Sequence, residues 1–255
     1  MALGWWIYVV VRSAWYWFLL AVVTCAVVLP YLIVTAVSPA GGLARKLERF
    51  WAWFILWASR VRLSAQGLEH VEPGRSYVVT ANHLSLYDIP VLHYLLGRDR
   101  DLRWIGKREL LSVPLFGLGF ERSRHVAIDR QNPERAVAAL KEAAASSAEG
   151  VSFAIMPEGT RSADGKLRPF KKGGFHLAID TGLPILPVTI VGSDELQRKG
   201  SWHILPGSIE VRVLAPIPVE GLDKGDLDDL LARTRSAIAS ELERHESEVI
   251  ERSRR

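Results

Sequence analysis

Cysteine is all but missing from this chain: Cys25 stands alone among 255 residues. One thiol excludes an internal disulfide and a cysteine-based zinc site. Charge is also missing from a long early stretch, with no Lys, Arg, Asp, Glu or His between Arg12 and Arg45. The nucleophile elbow Gly-x-Ser-x-Gly occurs nowhere, which argues against a serine esterase. There is no internal repeat, no low-complexity linker and no sign of a second globular domain. The length accommodates one sizeable domain plus extra apolar sequence.

What the chain does have is tryptophan, nine in all, and Trp5, Trp6, Trp15, Trp17, Trp51, Trp53 and Trp57 fall in its first quarter. Tryptophan favours the boundary between water and lipid, where its ring is half buried. Residues 14–37 are nearly all apolar. That run exceeds both the roughly 20 residues that cross a bilayer core and the roughly 7–15 of a secretory signal. Pro30 interrupts it, and Ser38-Pro39-Ala40-Gly41-Gly42 breaks it. A second apolar stretch, residues 50–58, is too short to cross alone. One crossing helix beside an interfacial helix fits, and so does a helical hairpin dipping into one leaflet. Arg45, Lys46, Arg49, Arg60 and Arg62 favour the cytoplasmic face of the plasma (inner) membrane for the rest of the chain. Residues 1–59 therefore read as membrane-anchoring helices whose removal leaves a more soluble domain, and the lipid bilayer as a partner. The net charge of +4 and pI near 9.3 do not by themselves choose between nucleic acid, anionic lipid and phosphorylated substrates.

Residues 60–255 alternate short β-rich runs with helical patterns, which predicts an α/β domain, a mixed β-sheet flanked by helices. Strands are expected at 61–65, 77–81, 102–105, 126–128, 151–156, 185–191 and 209–214. A helix is capped by Asn132, with Pro133 at its first position, and stops at Gly150. Residues 224–255 form a charged amphipathic helix whose charges read as a solvated face.

Chemistry concentrates in Asn82-His83-Leu84-Ser85-Leu86-Tyr87-Asp88. His83 and Asp88, five apart, meet on neither a continuous helix nor a continuous strand. They meet if the chain turns between a strand ending near Thr80 and a helix over 89–96. A bland reading makes Ser85 and Asp88 a capping box, or Asp88 the N-cap ahead of Pro90. A histidine held by an aspartate across such a turn is also what a general base needs, because the carboxylate fixes the tautomer and stabilises the imidazolium.

Asn82-His83 to Asp88 resembles the first block of the glycerolipid acyltransferase family of the lysophosphatidic acid type, Asn-His-x-x-x-x-Asp. Further blocks follow in the family's order over residues 60–214. Lys107, then Ile128-Asp129-Arg130, looks like the second, although Ser123-Arg124-His125 stands where a glycine is common. Pro157-Glu158-Gly159-Thr160-Arg161 matches the third, and Leu186-Pro187-Val188 looks like the fourth. The resemblance implies that His83 activates an acceptor hydroxyl with Asp88 as its partner. It implies a phosphate-binding set of Arg130, Glu158, Gly159, Thr160, Arg161 and, less directly, Lys107, in which Glu158, acceptor-only when ionised, positions an arginine or a substrate hydroxyl rather than touching phosphate. Asn82 and Pro187 are structural, proline in a strand belonging at an edge or bulge. The implied reaction moves a fatty acyl group from acyl-CoA or acyl carrier protein to the free hydroxyl of 1-acylglycerol 3-phosphate, giving phosphatidic acid. Another lysolipid or glycerol 3-phosphate is the alternative acceptor, and an inactive membrane lipid-binding protein the alternative function. No cofactor, metal or nucleic acid is expected.

Overall fold

The structure is a computed structural model that describes residues 2–38, 41–98, 100–129, 131–145 and 150–253. Two helices come first, α1 (Ala2–Val37) and α2 (Gly42–Ala58). The chain continues as β1 (Val61–Gln66), β2 (Val78–Ala81), α3 (Asp88–Leu96), β3 (Asp101–Lys107), α4 (Phe116–Arg122), β4 (Val126–Ile128) and α5 (Pro133–Ala145). It ends with β5 (Val151–Ile155), α6 (Gly173–Thr181), β6 (Ile185–Val191), α7 (Ser193–Leu196), β7 (Gly207–Val213) and α8 (Leu227–Ser253). The seven strands form one sheet in the order β1-β7-β6-β2-β5-β3-β4. Only the β6–β7 pair is antiparallel. The mixed α/β class and all seven strand positions agree with expectation.

Both faces of the sheet are covered, so interior strands are apolar throughout: every residue of β2 is buried. Val79 and Ala81 pack in one core with Ile55, Leu56, Val91 and Leu92, whereas Val78 packs in the other with Phe175, Ala178 and Leu230. Parallel strands place their carboxyl ends at one edge of the sheet. There β2, β5, β3 and β4 stand side by side and deliver the turns that carry the sequence blocks.

Two expectations about the helices, at Pro30 and in α8, are corrected. Pro30 does not interrupt α1, which runs through it for 36 residues. A proline deletes one helix bond, and buried Val27 and Tyr31 on either side hold both halves in place. The apolar stretch 50–58 lies in the second helix, which begins at Gly42 and carries Arg45, Lys46, Glu48 and Arg49 in its N-terminal half. Both helices pack on the α/β part, with Tyr16, Ile55 and Leu56 in the main core. Arg12 donates to the Ile204 and Ser59 carbonyls, and Trp17 to the Trp202 carbonyl at 2.7 Å. Finally, α8 is more than a solvated face. Its Glu241 and Glu248 meet Arg212 of β7 at 2.7 and 2.6 Å, with Arg212 almost wholly buried.

Pro187 lies in interior strand β6, not at an edge. Its carbonyl accepts from Leu214 N at 2.9 Å on the β7 side. Its absent N–H faces the same side, where regular pairing with β7 has already ended at Val188–Val213. Only an isolated bridge, Ile185 to Ile217, resumes beyond it. Proline is tolerated because on that side only its carbonyl is used, and among the described residues no acceptor stands where its N–H would be.

Candidate active site

Asn82 directly follows β2 and continues the sheet with its side chain. Its Nδ2 donates to the Ile190 carbonyl and its Oδ1 accepts from Ile190 N, both at 2.8 Å. The amide mimics a strand peptide and pins the turn that starts at His83. Asp88 opens α3 and is fully buried. Its Oδ2 accepts from His83 Nδ1 at 2.8 Å, from Leu84 N at 2.7 Å and from Ser85 N at 2.9 Å. Its Oδ1 accepts from Ser193 Oγ at 2.5 Å. Surrounded by donors, Asp88 serves as acceptor, so His83 carries its proton on Nδ1 and leaves Nε2 free to accept one.

The bland capping readings are half met. Asp88 reaches back to Ser85 N as a capping box requires. Ser85 does not reciprocate, its hydroxyl donating to the Gln197 carbonyl at 3.0 Å. Asp88 is not the N-cap, a place taken by Tyr87. Pro90 is the third helical residue, still within the first turn, where its missing N–H leaves no helix bond unmade.

The turn after β5 clamps His83 from the other side. Glu158 Oε1 accepts from His83 N at 2.7 Å, and Ser162 N donates to the His83 carbonyl at 2.7 Å. Glu158 Oε2 accepts from Arg168 N at 3.0 Å. Burial pushes this carboxyl above its usual range, against the lowering effect of those two backbone donors. Glu158 is thus buried and turned to the backbone, where it positions His83. Gly159 has φ +72, a conformation open to glycine at little cost, and a β-carbon there would press on the Lys171 side chain.

His83, Gly159, Thr160, Arg161 and Lys107 share the rim of one cavity of about 490 Å³. Its interior is lined by Val27 and Val28 of α1 and by Leu110, Phe116 and Phe120. Lys199 joins the rim and donates to the Arg161 carbonyl at 2.8 Å. Arg130 lies outside the described residues. Just before it, Arg124 takes φ +55, a left-handed conformation that glycine adopts more readily. That is where the expected glycine is replaced. Such an arrangement offers a base at its mouth, cations for an anionic group, and an apolar interior for a hydrocarbon chain. Among the described residues no group of His, Cys, Asp and Glu suits a metal ion.

Ser193, Lys199 and the wall contributed by α1 escaped sequence reasoning. Ser193 had one usable signal: it follows β6, parallel to β2, and so emerges at the same sheet edge. Nothing local marks the residues of α1, whose apolar pattern reads as lipid contact.

A family model described as Acyltransferase matches residues 62–191. The chain is 35% identical over 178 residues to a 1-acyl-sn-glycerol-3-phosphate acyltransferase of Limnanthes alba, covering 69% of this chain and 61% of that protein. It is 33% identical over 195 residues to the human 1-acyl-sn-glycerol-3-phosphate acyltransferase alpha, covering 76% and 68%. The chain thus spans less than two thirds of the plant protein's length. Among solved structures, the 1-acyl-sn-glycerophosphate (LPA) acyltransferase PlsC from Thermotoga maritima superposes with a TM-score of 0.80 at 26% identity, over 94% of this chain and 97% of that one.

Proposed function

This chain belongs to the acyltransferase family, and on that premise we propose that it transfers a fatty acyl group from a thioester to the free hydroxyl of 1-acylglycerol 3-phosphate, yielding phosphatidic acid. The observation that carries the reading is the His83–Asp88 pair at the mouth of a cavity with a cationic rim and an apolar interior. His83 Nε2 takes the proton from the acceptor hydroxyl as its oxygen attacks the thioester carbonyl. The carbon–sulfur bond breaks, and the imidazolium returns the proton to the departing thiolate. Asp88 holds the ring and stabilises its charged form. Arg161 and Lys107 bind the acceptor's phosphate, Arg161 through its planar fork. Arg130 shares that role by family resemblance, and Gly159 and Thr160 let the phosphate approach the turn. The donor is acyl-CoA or acyl carrier protein, and no cofactor is required.

Residues 1–59 hold the catalytic part, residues 60–255, on the cytoplasmic face of the membrane. The helix segment Leu3–Val37 is long and apolar enough to cross a bilayer. However, Arg12, Trp17 and Tyr31 bond to the α/β part along about 30 Å of α1. A full crossing would draw that part into lipid, so the geometry favours side-on insertion into one leaflet. The outer faces of both helices fit this, exposing Trp5, Trp15, Phe18, Ile33, Trp53 and Trp57.

The test is a matrix of acceptors and donors with the purified chain. 1-Acylglycerol 3-phosphate is expected to be the best acceptor, ahead of glycerol 3-phosphate and uncharged lysolipids. Absence of transfer to every acceptor from both donor types, by well-folded protein, overturns the reading.

A further inference from the structure

The cavity's inner wall is not purely apolar. Tyr31 of α1 donates to Glu48 Oε1 of α2 at 2.7 Å. Ser123, just past α4, lies 3.0 Å from the same carboxylate oxygen and 2.6 Å from the Tyr31 hydroxyl. These bonds brace the helices and need no ligand to explain them. One imidazole on the same wall, that of His93, is less fully accounted for.

The indole Nε1–H of Trp104 donates to His93 Nδ1 at 3.3 Å. Indole only donates, so neutral His93 carries its own proton on Nε2. That Nε2 is buried, and Glu48 Oε2, 3.4 Å away, is an electrostatic partner held too far and too bent for a well-formed hydrogen bond. His125 is placed otherwise: its Nδ1 accepts from the Trp104 backbone N–H at 3.2 Å and its ring packs edge-on against Phe120. A buried N–H without a well-placed acceptor is costly, and an oxygen atom arriving in the cavity relieves the cost. A saturated hydrocarbon brings no such atom.

We propose that the inner end of the cavity is a subsite for a hydroxyl carried on a fatty acyl chain, so that the protein selects hydroxylated over plain acyl groups. The hydroxyl accepts from His93 Nε2 and donates to Glu48 Oε2. The inference rests on the proposed acyltransferase activity and names a substrate class for it. From Lys107 at the rim to Trp104 is three strand residues, about 10 Å. The hydroxyl therefore sits along the body of the chain, not beside the reacting carbonyl.

The purified chain would be given palmitoyl-CoA and hydroxypalmitoyl-CoA isomers, with the hydroxyl stepped along the chain, against one plain lysophosphatidic acid. A second arm places the hydroxyl on the acceptor's chain and keeps the donor plain. One mid-chain isomer is expected to exceed its plain counterpart about tenfold in kcat/KM, the scale of one net hydrogen bond. The arm in which this occurs identifies whose chain fills the cavity. His93→Phe is expected to erase the preference while plain palmitoyl transfer persists. Equal rates for plain and all hydroxylated chains in both arms would overturn the inference and leave the acyltransferase reading standing. No transfer in either arm would overturn both, and neither comparison depends on the variant folding.

Discussion

The turn at His83 and the outer face of the first two helices are opposites in how they are held. Around His83 the polar groups have close partners: Asp88 receives four donors, Glu158 two, and the Asn82 amide both a donor and an acceptor. On α1, by contrast, only 17% of the apolar window is buried, and Trp5, Trp15 and Phe18 face outward. The first region is specified by direction, because a hydrogen bond fixes angle as well as distance. The second is specified only by solvent preference, because burial of apolar surface has no direction. Chemistry requires the former, and attachment to a fluid bilayer is satisfied by the latter.

The largest effect expected from breaking this contrast is at the base. His83→Ala should lower kcat by roughly 10²–10⁴-fold in a protein that still folds, since Leu84 N, Ser85 N and Ser193 Oγ continue to donate to Asp88. Asp88→Asn should cost similar activity and also lower Tm, because an amide cannot accept from donors on every side. Transfer assays and thermal melts on both variants check the pair, and a fully active, folded His83→Ala protein would sink the mechanism.

Asn82→Ala comes next. It strands the buried N–H and carbonyl of Ile190 and should cost about 1–3 kcal/mol of stability, read by denaturant unfolding. An unchanged midpoint would mean that the turn does not depend on this link. Arg161→Ala should raise KM for the phosphorylated acceptor about tenfold, the scale of one charge-assisted hydrogen bond. It should change KM for the thioester little, and Arg161→Lys should recover only part of the loss. An unmoved acceptor KM places the phosphate elsewhere.

The smallest effect on chemistry belongs to the outer helix face. Replacing Trp5, Trp15, Trp53 and Trp57 with serine should leave kcat on monodisperse acceptor unchanged. The same variant should detach from membranes more easily than the native chain. The native chain should resist a high-salt wash and yield to detergent, since salt screens charge contacts but not hydrophobic insertion. Release of the native chain by salt alone would reduce the helix pair to a surface contact.

Most of the fold was legible because strand and helix patterns are local. Seven strands were placed from apolar runs bounded by turn residues, and the His83–Asp88 turn from a strand followed by a helix. The misjudgements share one cause. For Pro30, Pro187 and the charges of α8, local rules about breakers, edges and solvated faces mislead. Each is decided by tertiary packing: Val27 and Tyr31 are buried, β7 stops pairing, and Arg212 gathers glutamates. The backbone partners of Glu158 lie 75 and 10 residues away, so no local rule finds them either.

By itself, then, the sequence determined the class of fold, the apolar start, and the residue types available for base, partner and cationic rim. Periodicity, turn chemistry and residue type are properties of short segments. Tertiary structure alone decided that Ser193 completes the set of donors on Asp88 from 105 residues away and that Glu158 holds the His83 backbone. It also decided that helices which read as an anchor wall the cavity with Tyr31 and Glu48. Those outcomes depend on which strands lie adjacent and on which face each helix presents. They arise when separate segments bury one another, a step that no local pattern encodes.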